Sequence, residues 1–458
     1  MELPVSLSKT RRGLATHRHR GPVAIALALT CLAGCATYQS KPLPEQAESA
    51  SSLTALRGYD AVPLPLDEAA VQRLVLLNNP DLRTVQARHA AAQAQRVQDS
   101  VLPNPVLGGS AGYLLSGVGD STAWTASISQ DITSLITLRP RREAARANAG
   151  AVDASLLWEQ WQTAGKARLL AIDLVEGARL MQLQQQALDL LAQREARETQ
   201  AIAAGTLERL TLAPDLAAAA DARANLNDLQ RRQLDQRQQL AALLGLKPDV
   251  SLPLVATLPA PALDAAAITR DADSIRRRRP DMVALQLGYQ AQDASLRAAV
   301  LAQFPALSLG YDAAQDNSRV RSGGPAVTMA LPVFDRNQGN VAVARATREQ
   351  LHIEYTTRLA TSRDEVDALL ALYVQLHQQY QAQAPAAADA ARTAAQAERA
   401  WRAGQLDLRG YADLTVAAIN RAMAAIAIEQ AMLEQQAALE LLVGRGMPTS
   451  LDQEVITP

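Results

Sequence analysis

The chain carries its own plan twice, two hundred residues apart. Asn79-Pro80-Asp81-Leu82 opens a long Ala/Gln-rich stretch that ends at Pro103-Asn104-Pro105-Val106-Leu107, and Arg279-Pro280-Asp281-Met282 opens another that ends at Phe304-Pro305-Ala306-Leu307. At that offset Pro80/Pro280, Asp81/Asp281, Gln86/Gln286, Ala91/Ala291, Ala94/Ala294, Pro105/Pro305 and Leu107/Leu307 coincide. The echo continues at Ala145-Arg146-Ala147 and Ala344-Arg345-Ala346, at Ala204-Gly205 and Ala403-Gly404, and at Leu244-Gly245 and Val443-Gly444. A period this long is one duplicated structural half, not a solenoid of short units. Each half reads helix, strand pair, then two long helices.

The spacing places the first repeat over 66–246, with its strand pair at 105–133, and the second over 265–446, with its strand pair at 305–333. A Pro-rich connector covers 247–264 and a short tail 447–458. In the first strand pair Leu107, Ala111, Tyr113 and Leu115 alternate with Gly108, Ser110 and Gly112, and Trp124, Ala126, Ile128 and Ile132 alternate with Thr125, Ser127, Ser129 and Asp131. The second pair repeats this with Leu307, Leu309 and Tyr311, then Val327, Met329, Leu331 and Val333, around a Gly/Asn/Ser-rich loop expected over 313–324. Period two with one greasy and one small polar face suits a strand between lipid and a water-filled lumen. It fits equally well two soluble hairpins half buried on a core.

The helical stretches carry apolar residues at 3-4 spacing, as in Ala164, Ala167, Ala171, Leu174 and Leu188, and in Val366, Leu369, Tyr373, Leu376 and Tyr380. These are heptad seams weakened by Ala and Gln, which predicts many neighbouring helices rather than a lone pair. Gly205 and Gly404 interrupt the helices at matching places and read as the tips of two helical hairpins. Aromatic residues make up only 3% of the chain, which suits long helices packed through small side chains.

Residues 1–34 read as an export signal, with a basic start and a Val23–Ala33 apolar run too short for the roughly 20 residues that span a bilayer. The run ends Leu32-Ala33-Gly34-Cys35, which resembles the lipobox of bacterial lipoproteins and implies cleavage before Cys35 and acylation of its thiol. Residues 35–65 then form an acylated, irregular tether. The five Lys/Arg and one Glu of residues 1–34 would leave with the signal, so the net charge of −1 becomes −5, which gives no support to nucleic-acid binding. One remaining cysteine builds no disulfide framework and no thiolate metal site. His89, His352 and His377 lie far apart, Arg276–Arg279 read as an exposed helix end, and no nucleophile elbow or phosphate cradle is present in the sequence. No enzyme and no cofactor beyond the lipid on Cys35 is expected.

Four strands per chain cannot close a barrel, and open sheet edges are not tolerated in lipid. The duplicated plan, the lipobox and the glycine-tipped hairpins resemble the TolC family of outer-membrane efflux ducts. Asn78-Asn79-Pro80-Asp81-Leu82, Leu102–Leu107, Arg278–Asp281, Phe304–Tyr311 and Leu331–Asn340 are similar to its heavy-metal and nodulation-type lipoprotein branches. The resemblance spans about 65–446. It implies a mainly α fold in which three copies share a 12-stranded transmembrane β-barrel in the outer membrane above an α-helical tunnel. It also implies docking of the tunnel on a periplasmic adaptor and an inner-membrane pump of the resistance-nodulation-division class, with metal cations or drugs passing through. By the same resemblance, Asp413, nine positions after Gly404, matches an acid of the periplasmic gate, while Gly410 stands where a second acid is expected, and Asp407 or Asp215 would compensate. Arg399, Arg402, Leu406 and Leu408 flank the tip as adaptor-contact candidates. Tyr113, Trp124 and Tyr311 are candidates for the lipid–water boundary. Other readings are a type I secretion duct and, from another class, a lipid-anchored periplasmic coiled-coil adaptor or scaffold.

Overall fold

The computed structural model describes residues 38–45, 49–119 and 121–450. The signal over 1–34, the acylation at Cys35 and most of the tail therefore lie outside the described residues. The chain divides into two units, up to Glu48 and from Ser49 on; in the first, residues 38–45 carry no helix or strand.

The second unit opens with two short 3-10 turns, Leu53–Ala55 and Tyr59–Ala61. Two helices follow, α1 (Glu68–Asn78) and α2 (Pro80–Asp99). Asp67 caps α1 by accepting from the Ala70 amide, and Asn79 caps α2 by accepting from that of Leu82. Pro80 sits at the first helical position of α2, where its missing N–H costs nothing, so the repeated Pro-Asp signature is a helix break and restart. After the strands β1 (Val106–Gly112) and β2 (Ala123–Asp131) comes α3 (Thr133–Ala203), 71 residues long. At 1.5 Å per residue α3 extends roughly 105 Å. A 3-10 turn at Arg209–Leu212 leads into α4 (Ala213–Leu243). The second repeat runs α5 (Ala265–Ala272), α6 (Ile275–Arg278), α7 (Pro280–Leu301), β3 (Leu307–Gln315), β4 (Arg321–Met329), α8 (Gln338–Arg402) and α9 (Leu408–Val443).

The strands form one antiparallel sheet in the order β1-β2-β3-β4. Ile128 of β2 pairs with Tyr311 of β3, so the sheet joins the two repeats. Below it α2, α3, α7 and α8 pack side by side in the same order as the strands they adjoin, and further down the hairpins align as α4, α3, α9, α8. Two apolar clusters hold the region between. One gathers Leu66, Leu74, Val75, Leu240 and Leu244, and the other Ile268, Met282, Val366, Met432 and Leu439. Close approach depends on small residues: a Cβ at Gly177 would lie 2.1 Å from Gln233 of α4, and one at Gly165 2.7 Å from Leu441 of α9.

Three expectations need correction. The loop placed over 313–324 is shorter: β3 runs on to Gln315 and β4 begins at Arg321, so Leu331 and Val333 fall beyond the strand. Residues 49–65, expected as part of the irregular tether, are packed on the fold. Ala50 pairs with Leu246 at the end of the first repeat and Leu66 with Leu254 of the connector, and Leu56 and Leu66 are buried in the first cluster. Arg276–Arg279 is not wholly an exposed helix end. Arg279 is buried, bonded through two nitrogens to Asp281 at 2.8 Å each, with its guanidinium 4.9 Å from the Trp158 ring.

Candidate functional site

Two places in the fold carry the residues singled out from the sequence: the sheet and the tips of the hairpins. Directly paired residues in a sheet share a face. The register therefore sets Leu107, Ala111, Trp124, Ile128, Leu309, Tyr311, Val327 and Met329 on one face. Gly108, Ser110, Thr125, Ser127, Ser129, Ser308, Asp312 and Thr328 occupy the other. The apolar face is uncovered, with Leu107 81% and Val327 66% exposed, and nothing pairs with the outer edges of β1 and β4 among the described residues. A soluble hairpin half buried on a core would cover that face; this sheet covers neither. Strands of seven to nine residues rise roughly 23–30 Å at 3.3 Å per residue, close to the ~25 Å apolar band of a transmembrane barrel.

Tyr113 and Trp124 stand at the end of the sheet far from the helices, beside the β1–β2 turn, whereas Tyr311 lies in mid-strand opposite Ile128 and Pro325. The chain's two phenylalanines, not singled out from the sequence, both flank the end nearest the helices. Phe304 precedes β3 and Phe334 follows β4, at 61% and 93% exposure. Aromatic side chains at both ends of an apolar band are the pattern of a protein crossing a membrane–water boundary twice.

At the tips the two hairpins turn alike. Gly205 and Gly404 both take φ +72°, and the amides of Thr206 and Gln405 donate back to the carbonyls of Ala201 and Ala400. This is the helix-ending turn that needs a left-handed residue, which only glycine adopts freely. Arg399 and Arg402 are exposed, Arg402 pairing with Glu398 at 2.6 Å, and Leu406 and Leu408 are half-buried. Trp401 and Tyr411 stack across the second tip, with ring centroids 4.8 Å apart. At Gly410 an added Cβ would lie 2.9 Å from a methyl of Leu406 and 3.0 Å from the Asp407 carboxylate, the ends of two side chains that would have to shift.

The three acids named from the sequence have different fates. Asp407 caps α9, accepting from the Gly410 amide at 2.8 Å. Asp215 and Asp413 come together on Arg194, a buried residue of α3. Its guanidinium donates to Asp215, to Asp413 Oδ1 at 2.5 Å and to Glu198 Oε1 at 3.3 Å. Arg409 of α9 closes the cluster, bonding Asp215 Oδ2 at 2.8 Å. Asp215 is buried, while the Asp413 side chain is 62% exposed. Burial works against the charge of Asp215, but hydrogen bonds from Glu198 and Arg409 and the charges of Arg194 and Arg409 outweigh it and hold its carboxyl below the usual range. Glu198 moves the opposite way, pushed up by burial and by its bond to Asp215. Arg194, Glu198 and Arg409 went unnoticed in the sequence. Arg194 follows Leu188 and Leu191 at helical spacing, and a charge on an apolar stripe was the available signal.

The histidines do not meet. His89 bonds Asp153 at 2.7 Å, His377 bonds Gln381 at 2.9 Å, and His352 lies beside Tyr289. Among the described residues no three potential ligands cluster as a metal site.

No family model and no curated protein matches the sequence. Solved structures do. A membrane protein from Pseudomonas aeruginosa is 20% identical, with a TM-score of 0.67 over 92% of this chain and 100% of that one. The CmeC outer membrane channel of Campylobacter jejuni is 17% identical, with a TM-score of 0.66 over 91% of this chain and 96% of that one. CusC, described as forming a transmembrane channel, is 18% identical, with a TM-score of 0.65 over 90% and 99%. The chain therefore has the fold of the TolC-family outer-membrane channels.

Proposed function

We propose that the protein is the outer-membrane channel of a tripartite efflux system, a passive duct built from three copies. The observation that carries this reading is the two-faced sheet. Its apolar face is uncovered and its two edges are unpaired, which lipid tolerates only if the sheet closes on further strands. Three copies would supply about twelve strands, within the bacterial barrel range. The free flanks correspond: β1 stands above α2 at one side and β4 above α8 at the other, so each copy would present one flank to the next. Such a duct supplies a water-filled path and no energy; an inner-membrane pump does the work through a periplasmic adaptor. An adaptor of the coiled-coil class would carry one hairpin flanked by β-rich modules, whereas this chain has two hairpins and one four-stranded sheet.

In this reading the tips are the periplasmic gate. Arg194 holds Asp215 and Asp413 together, clasping the first hairpin to the second, and the exposed side of Asp413 faces the passage. Asp407 acts through the cap it provides. Gly205, Gly404, Arg399, Arg402, Leu406 and Leu408 form the surface offered to the adaptor. Acylation at Cys35 anchors the N-terminus in the outer membrane, and the cargo is metal cations or drugs.

The test is the purified full-length protein in detergent and in planar bilayers. The expected result is a trimer by native mass with a small closed-state conductance. A monomer that leaves bilayers silent would overturn the reading. Asp413→Asn is expected to alter conductance and cation preference; no change would remove Asp413 from the gate.

A further inference from the structure

The two hairpins meet along α3 and α9, which run antiparallel. Arg168 faces Glu440, Asp173 faces Gln430 and Glu434, Arg179 faces Glu429, and Arg194 faces Asp413. These four polar rungs span roughly 39 Å of helix. Apolar contacts lie between the rungs, Ile172 and Val175 of α3 packing with Leu433 and Ala437 of α9, while Leu188, Leu191 and Leu226 pack within the first hairpin and Val366, Tyr373 and Met432 within the second.

Every rung holds more carboxyls than cations. Arg168 serves Glu68 of α1 and Glu440. Arg179 serves Glu176 and Glu429, with Tyr380 of α8 facing the same group. Arg194 and Arg409 serve Glu198, Asp215 of α4 and Asp413. The second rung has no cation: among the described residues no ion pair reaches Asp173 or Glu434. One amide nitrogen, Gln430 Nε2, donates to both carboxyls at 2.9 Å each, and Gln236 of α4 donates to Asp173 at 3.1 Å. Nine carboxyls thus face four guanidiniums. A further oxygen, Oε1 of the fully buried Glu176, is left without a hydrogen-bond partner. Full ionisation of such a seam sets like charges together in largely half-buried surroundings, at a cost that a proton removes.

We propose that the α3–α9 seam is a proton-operated latch between the hairpins: shared protons hold the two helices together, and ionisation of the surplus carboxyls parts them. The surroundings of the surplus carboxyls act in the same direction. Glu434 is pushed up to about 7 by burial and by its bond to Asp173, and Glu176 and Glu198 are also raised, burial being the first cause in each. A carboxyl raised on folding binds more protons in the folded state. Its stabilisation is present below the ordinary value of 4.5 and is lost as pH rises through the folded value, about 7 for Glu434. Asp215, shifted down, acts only at more acidic pH and in the opposite sense.

The test is hydrogen exchange of the full-length protein in detergent, read as protection factors over 418–443 of α9, which removes the intrinsic pH dependence of exchange. Between about pH 6 and about pH 8 protection should fall about tenfold, the equivalent of one unit of carboxyl shift. Glu434→Gln should abolish most of that fall and keep high protection at the alkaline end. Should that variant fold poorly, Asp173→Asn serves instead and should move the fall to lower pH. Flat protection in the natural protein, or the same fall in the variants, would overturn the latch. Because the readout is local exchange, it is independent of whether the protein conducts.

Discussion

The two long helices that end at matching glycines have opposite surroundings. α3 buries 24 of its 71 residues, touching α1, α2, α4, α7 and α9, while α8 buries six of its 65 and touches α5, α7 and α9. The helices that lead into the strands reverse this: α2 buries only Leu82 and Val85, whereas α7, wedged between α3 and α8, buries six residues. Duplication therefore fixed one plan, but position in the sheet decided which copy of each element is interior. The interior elements α3 and α7 hold one chain together. The flanking elements α2 and α8 expose Val97, Val343, Ile353, Leu372 and Val374, apolar surface that one copy of the chain leaves uncovered.

Substitutions on the two sides of that comparison should behave differently. The largest effect is expected from Arg194→Ala in α3, which leaves the buried Asp215 with one of its two cations and should destabilise the protein by about 3–5 kcal/mol. Chemical denaturation measures this, and a loss no larger than that of Arg402→Ala on the exposed second tip would break the distinction. Ile172→Ala, at a fully buried position of α3, should cost about 2–5 kcal/mol through lost burial and the cavity left behind. Gly205→Ala and Gly404→Ala should cost about 1–2 kcal/mol each, nearly equally, because both residues hold the same left-handed turn and no neighbour lies within 4 Å of an added Cβ. Unequal losses in thermal melts would show that the tips are not equivalent. Leu372→Gln on α8 should leave the protomer's stability within about 0.5 kcal/mol, yet shift native mass towards smaller species. Unchanged assembly would show that this flank of α8 is not a contact between copies.

Much of this architecture is written locally. Asn79-Pro80 and Arg279-Pro280 mark helix restarts because proline suits the first turn, and Gly205 and Gly404 mark tips because the turn demands a positive φ. The seams were legible for the same reason, since Val366 and Tyr373 repeat on one helical face. The start of β4 was not legible. Arg321-Ser322-Gly323-Gly324 has weak strand propensity, and it is a strand because it pairs with Asp312–Gln315. A Cβ on Gly323 would lie 3.0 Å from the Tyr311 hydroxyl, so a side chain there would crowd it.

The doubled plan, the long helices, the hairpin turns and the two-faced strands can be read along the chain, because periodicity, proline and glycine act within a few residues. Which acids meet is set by how the helices pack. Arg194 meets Asp413 across 219 residues of chain, and Asp173 meets Gln430 across 257. Such meetings depend on which face of one helix packs on which face of another, and charged side chains on an isolated helix carry no record of that choice.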